Sequence, residues 1–118
     1  MSYEIRLNRE RRLVVIVHHQ EFEHTIGSKV LPEMMNVLAF KQWSNVLVDF
    51  REVPGTDLID FEHYIFSKNL HQTMPRGIRM GILVSEESKI PEENIFAAES
   101  RMDMRVFDCE GDALNWFE

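Results

Sequence analysis

Two different hydrophobic patterns occupy the first twenty residues of the chain. Residues 3–7 alternate between apolar and charged side chains, which predicts a strand with one face in solvent. Residues 13–17 form an uninterrupted run of leucine, valine and isoleucine, which is typical of a strand buried on both faces. The polar segment 8–11 lies between them and predicts a turn. We therefore predict an antiparallel hairpin at the start of the chain.

Helical spacing first occurs between residues 28 and 44. Pro32 has no backbone N–H and is tolerated in the first turn of a helix, so we expect the helix to begin near Ser28 or a little later. Positions i, i+3, i+4 and i+7 then form one apolar stripe, which predicts a helix packed by one face on a sheet. The stripe consists of Leu31, Met34, Met35 and Leu38.

The rest of the chain alternates between strand-like and helix-like segments. Three further strands are predicted, at 46–50, 78–84 and 105–107. Three further helices are predicted, starting at Thr56 or Asp57, at Pro91 and near Glu110. Strands separated by helices favour right-handed parallel crossovers. The order predicts a single α/β domain with one mixed sheet, an antiparallel opening strand and about four helices, and the strands at 13–17, 46–50 and 78–84 should be central.

Composition and charge narrow the classes of function. The chain has 118 residues, with 13 basic and 20 acidic side chains and a net charge of −7. Nucleic acids are bound through clustered Lys and Arg, so we expect no nucleic-acid partner, and we interpret the arginines at 9, 11 and 12 as a solvated hairpin tip. Cys109 is the only cysteine, which precludes an internal disulfide. No signal-like or membrane-spanning apolar segment is apparent, and we expect a cytoplasmic protein.

Candidate catalytic and metal-binding residues do not combine into a recognisable site. His18 and His19 are adjacent on a strand and should point to opposite faces, and His24, His63 and His71 have no zinc-site spacing, so strand-end and surface histidines are the favoured interpretation. Ser85 lies outside any nucleophile-elbow pattern. Cys109 has acidic neighbours in sequence, which favours a partly buried, unreactive thiol. No phosphate-binding glycine pattern occurs. We expect no enzymatic activity, no cofactor and no metal.

Three segments together resemble the STAS superfamily, and more narrowly its SpoIIAA-like branch (STAS/SEC14-type domains). They are the opening hairpin, the strand Val46-Leu47-Val48-Asp49-Phe50-Arg51, and the closing segment from Arg105 to Phe117. The resemblance implies the mixed-sheet fold derived above. Bacterial members include anti-sigma-factor antagonists, which bind a kinase-like anti-sigma factor and are switched by phosphorylation. Other members are sensory modules.

The chain departs from these antagonists at the turn where they carry an Asp-Ser-Ser-Gly type sequence with the phosphorylated serine. Asp57 matches the aspartate, but Leu58 and Ile59 stand where the serines would. Thr56 is the only hydroxyl nearby. A phosphate on Thr56 would be favoured at a helix amino terminus, but a helix-capping role is the preferred interpretation.

The predicted second helix has more apolar residues than one buried face needs. This surplus indicates a partner surface, the wall of an apolar pocket, or simply a helix that the small domain covers more fully than usual. The first hypothesis is a regulatory interaction module whose partner is an anti-sigma-like kinase or another protein. A homodimer is a further alternative. The alternative is a carrier or sensor of a nonpolar, lipid-like molecule, held beside Phe61, Ile65 and Phe96. The combined candidate surface is Pro54, Gly55, Thr56, Asp57, Leu58, Phe61, Ile65 and Phe96.

Overall fold

The computed structural model describes residues 3–19, 24–53, 77–85 and 103–117, with the backbone alone described at 24–28 and at 103. These residues form five strands and two helices. The strands are β1 (Tyr3–Asn8), β2 (Leu13–His18), β3 (Asn45–Asp49), β4 (Arg79–Leu83) and β5 (Asp103–Phe107). The helices are α1 (His24–Lys41) and α2 (Glu110–Trp116). The predicted second and third helices fall outside the described residues, so the expected total of about four helices stays a prediction.

The five strands form one mixed sheet in the order β1-β2-β3-β4-β5. β1 pairs antiparallel with β2, and every later pairing is parallel. The predicted antiparallel opening strand is therefore confirmed. The three strands predicted to be central are β2, β3 and β4, which occupy the three inner positions of the sheet.

The sheet has a helix on each face, and alternate residues of β2 supply both layers. Val14 and Ile16 belong to the larger core cluster, which includes the buried residues of α1. Leu13 and the half-buried Val15 pack in a second cluster with α2. Because side chains alternate between the two faces of a strand, the continuous apolar run of β2 fills both layers. This confirms the prediction of a strand buried on both faces.

The predicted start of α1 was wrong. The helix begins at His24, and Pro32 lies inside it instead of in its first turn. Pro32 has no N–H to donate to the carbonyl of Ser28, so one hydrogen bond of the ladder is missing. The helix continues across this defect because its other residues keep their backbone bonds and bury one face on the sheet. Among the helix residues whose side chains are described, the buried ones are Val30, Met34 and Leu38.

The carboxyl end of α1 is closed by a Schellman motif. The N–H of Trp43 donates to the carbonyl of Leu38 at 3.1 Å, and the N–H of Gln42 donates to the carbonyl of Ala39 at 3.3 Å. Gln42 has a φ of 57°, the left-handed conformation that this motif requires. The motif characteristically brings the residue after the left-handed position against the last turn of the helix. It thereby sets Trp43 beside Leu38.

On the opposite face, α2 packs through a close approach that a glycine permits. A Cβ atom added at Gly81 in β4 would lie 3.2 Å from the Cζ atom of Phe117 and 3.2 Å from the Cδ1 atom of Leu47. Those distances are shorter than ordinary van der Waals contact between carbon atoms. The missing side chain of Gly81 therefore admits Phe117 to the core, together with the buried Ala113. The predicted start of this helix near Glu110 is confirmed.

Candidate functional site

The carboxyl edge of the parallel strands is the usual place for a site in an α/β domain. His18, at the end of β2, is buried with only 2% of its surface exposed. Its ring stacks on Phe50 with a centroid separation of 4.7 Å and lies 6.0 Å from the ring of Tyr3. His18 is thus a strand-end histidine, as expected, but its side chain is not on the surface, because the aromatic rings of β1 and of the residue after β3 enclose it.

The environment of His18 disfavours its charged form. Burial lowers the pKa of His18 from its ordinary 6.5 to about 4. The negative charge of Asp49 opposes this shift, and the neighbouring His19 adds to it. Burial removes the hydration that stabilises the charged imidazolium, so His18 is neutral at physiological pH.

A network of charged groups crosses the same edge. The side chain of Arg51 donates to both carboxylate oxygens of the buried Asp49, at distances down to 2.8 Å. The backbone N–H of Arg51 donates to the Oδ1 atom of Asp49 at 3.0 Å. The Nη1 atom of Arg51 also reaches the Oε2 atom of Glu110 in the first turn of α2, at 3.3 Å. Arg51 thus links the end of β3 to the start of α2.

His19 occupies a different environment from His18. Its Nδ1 atom lies 3.0 Å from the Oε2 atom of Glu52, and its Nε2 atom lies 3.2 Å from the Oε1 atom of Glu4. Glu4 also bonds to Arg6, and hydrogen bonds from Arg6 and then His19 lower the pKa of Glu4. Within the described part of the chain, no three histidine, cysteine or acidic side chains converge in a way that could hold a metal ion.

Among the described residues, Ser85 and Cys109 are two further side chains of nucleophilic type near this edge. Ser85 follows β4 and is half-buried. Cys109, which precedes α2, is exposed, so the expectation of a partly buried thiol is wrong. At the end of β3, the side chains of Asp49 and Arg51 form an ion pair with each other. The parallel strands also follow one another in chain order, so the described sheet lacks the reversal of strand order that opens a ligand crevice in doubly wound folds.

A groove lies at the opposite edge of the sheet, between the last turns of α1 and the starts of β3 and β4. Its volume is about 480 Å³, and it is partly open to solvent. The helix contributes four lining residues, the Schellman motif places Trp43 in the wall, and Ser44 and Ile78 are the residues just before β3 and β4. The lining residues are Met35, Asn36, Leu38, Ala39, Trp43, Ser44 and Ile78.

Two side chains beside this groove stand out. Phe40, on the last turn of α1, is 85% exposed, so most of its ring faces solvent. The ammonium group of Lys41 lies 5.8 Å from the ring centroid of Phe40 and 5.8 Å from that of Trp43. Trp43 in the groove wall, the exposed ring of Phe40 and the ammonium group of Lys41 thus lie close together.

The sequence-predicted surface and the observed groove are different regions. All eight residues of the predicted surface, from Pro54 to Phe96, fall outside the described residues, and so do the side chains of His24, His63 and His71. The sequence prediction included Met35 and Leu38 only as core residues. The available sequence signal at the end of α1 was Phe40, an apolar residue outside the predicted stripe, which is followed by Lys41 and, after Gln42, by Trp43.

No protein-family model matches this chain, and no curated protein matches it significantly. Among the described helices, none combines the length and apolar character needed to cross a bilayer.

Proposed function

We propose that this protein is a non-enzymatic binding module that holds a nonpolar small molecule in the groove at the end of α1. The observation that carries the proposal is the groove itself, whose volume of about 480 Å³ lies within the range of roughly 300–1,000 Å³ typical of ligand pockets. Its wall is formed mainly by apolar side chains, and Asn36 and Ser44 supply the few polar groups that orient a ligand in such pockets.

The charged carboxyl edge supports a non-enzymatic role. General acid–base or nucleophilic catalysis needs a group whose proton or lone pair is available to a substrate. In the described residues, the carboxylate of Asp49 accepts bonds from Arg51, and both ring nitrogens of His19 face carboxylates. These groups stabilise the edge by bonding to each other.

A neutral apolar probe tests the proposal directly. The chain has two tryptophans, and Trp43 lines the groove whereas Trp116 packs on the other face of the sheet. In a Trp116→Phe background, Trp43 becomes the sole indole fluorophore. We expect 1-decanol to change its emission saturably, at concentrations below those at which the alcohol aggregates.

A groove-filling variant distinguishes binding of the probe in the groove from its nonspecific hydrophobic adsorption to the protein. Ala39 lines the groove and is exposed, so Ala39→Leu should occupy part of the volume without disturbing the core, and it should abolish the saturable response. Asn115→Leu adds the same side chain at an exposed position of α2 and serves as the control. Equal responses in the two variants, or no saturable response in the parent protein, would contradict the proposal.

The second candidate is a regulatory interaction module of the SpoIIAA-like type without the usual phosphorylatable serine. The exposed Phe40 favours it, because large exposed aromatic side chains are frequent anchors of protein interfaces. The occupant would be an apolar side chain from a partner, such as an anti-sigma-like kinase, inserted into the groove. Native mass spectrometry of protein purified from its own source separates the candidates. A copurified small molecule supports the first, and a stoichiometric protein lost in Phe40→Ser supports the second.

A further inference from the structure

Lys41 places a positive charge beside a groove whose lining is mainly apolar. The Nζ atom of Lys41 lies 5.8 Å from the centroid of the Trp43 ring, and Trp43 is part of the groove wall. No carboxylate of the described residues forms an ion pair with Lys41. A cation is therefore held beside an apolar groove in a protein whose net charge is −7.

We propose that the groove binds an amphiphile with an apolar chain and a carboxylate end, with the carboxylate at Lys41. This inference rests on the proposed function and specifies its ligand class. The apolar chain would lie against Met35, Leu38 and Ile78. A charge-assisted hydrogen bond from an ammonium group to a carboxylate is stronger than one between neutral groups, so Lys41 would contribute selectivity for an anionic end.

The electrostatics of the helix end is compatible with an anion at this place. A helix carboxyl terminus ordinarily carries partial negative charge because its last carbonyl groups are unbonded. Here the carbonyls of Leu38 and Ala39 accept bonds from the N–H groups of Trp43 and Gln42. The closed end therefore repels an anion less, and the positive charge of Lys41 lies beside Trp43 of the groove wall.

The opposite polarity is disfavoured by the same geometry. An ammonium ligand would gain from the faces of Phe40 and Trp43, but Lys41 already lies over both rings. A cationic ligand would have to displace the side chain of Lys41 or sit beside its charge. The groove should accordingly discriminate between chains of equal length that differ only in the charge of their end group.

The test uses three probes of one chain length, with Trp43 emission in the Trp116→Phe background as the readout. The probes are decanoate, 1-decanol and decylamine, each below its aggregation concentration. We expect decanoate to bind about twofold to fivefold more tightly than decanol, a difference typical of one partly exposed charge-assisted contact. We expect decylamine to bind more weakly than decanol. Equal affinity for decanoate and decylamine would overturn the proposal.

Lysine variants assign the selectivity to one side chain. Lys41→Gln should remove the preference for decanoate over decanol. Lys29→Gln is the control, because Lys29 is an exposed residue of the same helix, roughly 18 Å from Lys41 along the axis at 1.5 Å per residue. Unchanged decanoate selectivity in Lys41→Gln would overturn the carboxylate assignment while leaving the groove proposal intact. Failure of all three probes to bind would overturn both.

Discussion

The buried imidazole of His18 predicts that the stability of the fold depends on pH in a defined window. In the folded protein, burial lowers the pKa of His18 to about 4, whereas the ordinary value is 6.5. Above pH 6.5 the side chain is neutral in both the folded and unfolded states, and its titration has no effect. As the pH falls from 6.5 to 4, the unfolded chain binds a proton that the folded protein excludes, so stability decreases.

The magnitude follows from the size of the shift. Each unit of pKa difference corresponds to about 1.4 kcal/mol, so protonation of His18 should remove about 3 kcal/mol of the free energy of unfolding by pH 4. Below pH 4 the folded protein also binds the proton, and the loss from this group is complete. Because the protein is acidic and other groups titrate in the same window, the quantity to measure is the difference between the parent and a His18 variant.

Urea denaturation of the parent and of His18→Phe, followed by circular dichroism across this window, measures that difference. Phenylalanine keeps a ring against Phe50 but cannot titrate. We expect the stability of the variant relative to the parent to rise by about 3 kcal/mol as the pH falls from 6.5 to 4. Tyr3→Phe alters another ring beside His18 and removes the hydrogen bond to Glu33 but keeps the imidazole, so the loss of stability due to His18 should remain. Parallel curves for the parent and His18→Phe would refute the assignment of a buried neutral imidazole.

Three further substitutions test other parts of the account by equilibrium unfolding. Gly81→Ala should destabilise the protein by about 1–3 kcal/mol because the added methyl group would crowd Phe117, and an unchanged midpoint would contradict that packing. Gln42→Gly should stabilise it by about 0.5–1 kcal/mol because glycine adopts the left-handed conformation without steric cost, and a loss of stability would contradict the Schellman motif. Thr56 lies outside the described residues, and the sequence predicts that Thr56→Ala costs about 1 kcal/mol as a lost helix cap. Phosphate on Thr56 in cells, with Thr56→Glu abolishing binding to a kinase-like partner, would contradict the capping role.

The sheet was predictable because its strands carry strong apolar runs. The segment 13–17 consists only of leucine, valine and isoleucine, and such a run has few alternatives to a doubly buried strand. The predicted bounds of β3 and β4 differ by a residue or so from those observed, which is the usual uncertainty of strand ends. The start of α1 was not predictable from Pro32, because packing on the sheet stabilises a helix that local preference alone would shorten.

The groove was not predictable because it depends on geometry that no spacing rule encodes. Its wall combines the last turns of α1 with Ile78, a residue 34 positions further along the chain than Ser44. Trp43 reaches the wall because Gln42 adopts a positive φ. Glycine is the usual residue in this conformation, so a glutamine gave no sequence signal for it. The burial of His18 was missed for a related reason, since its enclosure needs rings from β1 and from the residue after β3.

The most direct test of the account is whether a nonpolar ligand contacts the groove and leaves the other face of the sheet unchanged. Proton–nitrogen NMR resolves the indole N–H signals of the two tryptophans, of which Trp43 lines the groove and Trp116 packs with α2. On titration with 1-decanol, the account predicts a saturable shift of the Trp43 signal and no shift of the Trp116 signal. An unchanged Trp43 signal, or a shift confined to Trp116, would contradict the central claim.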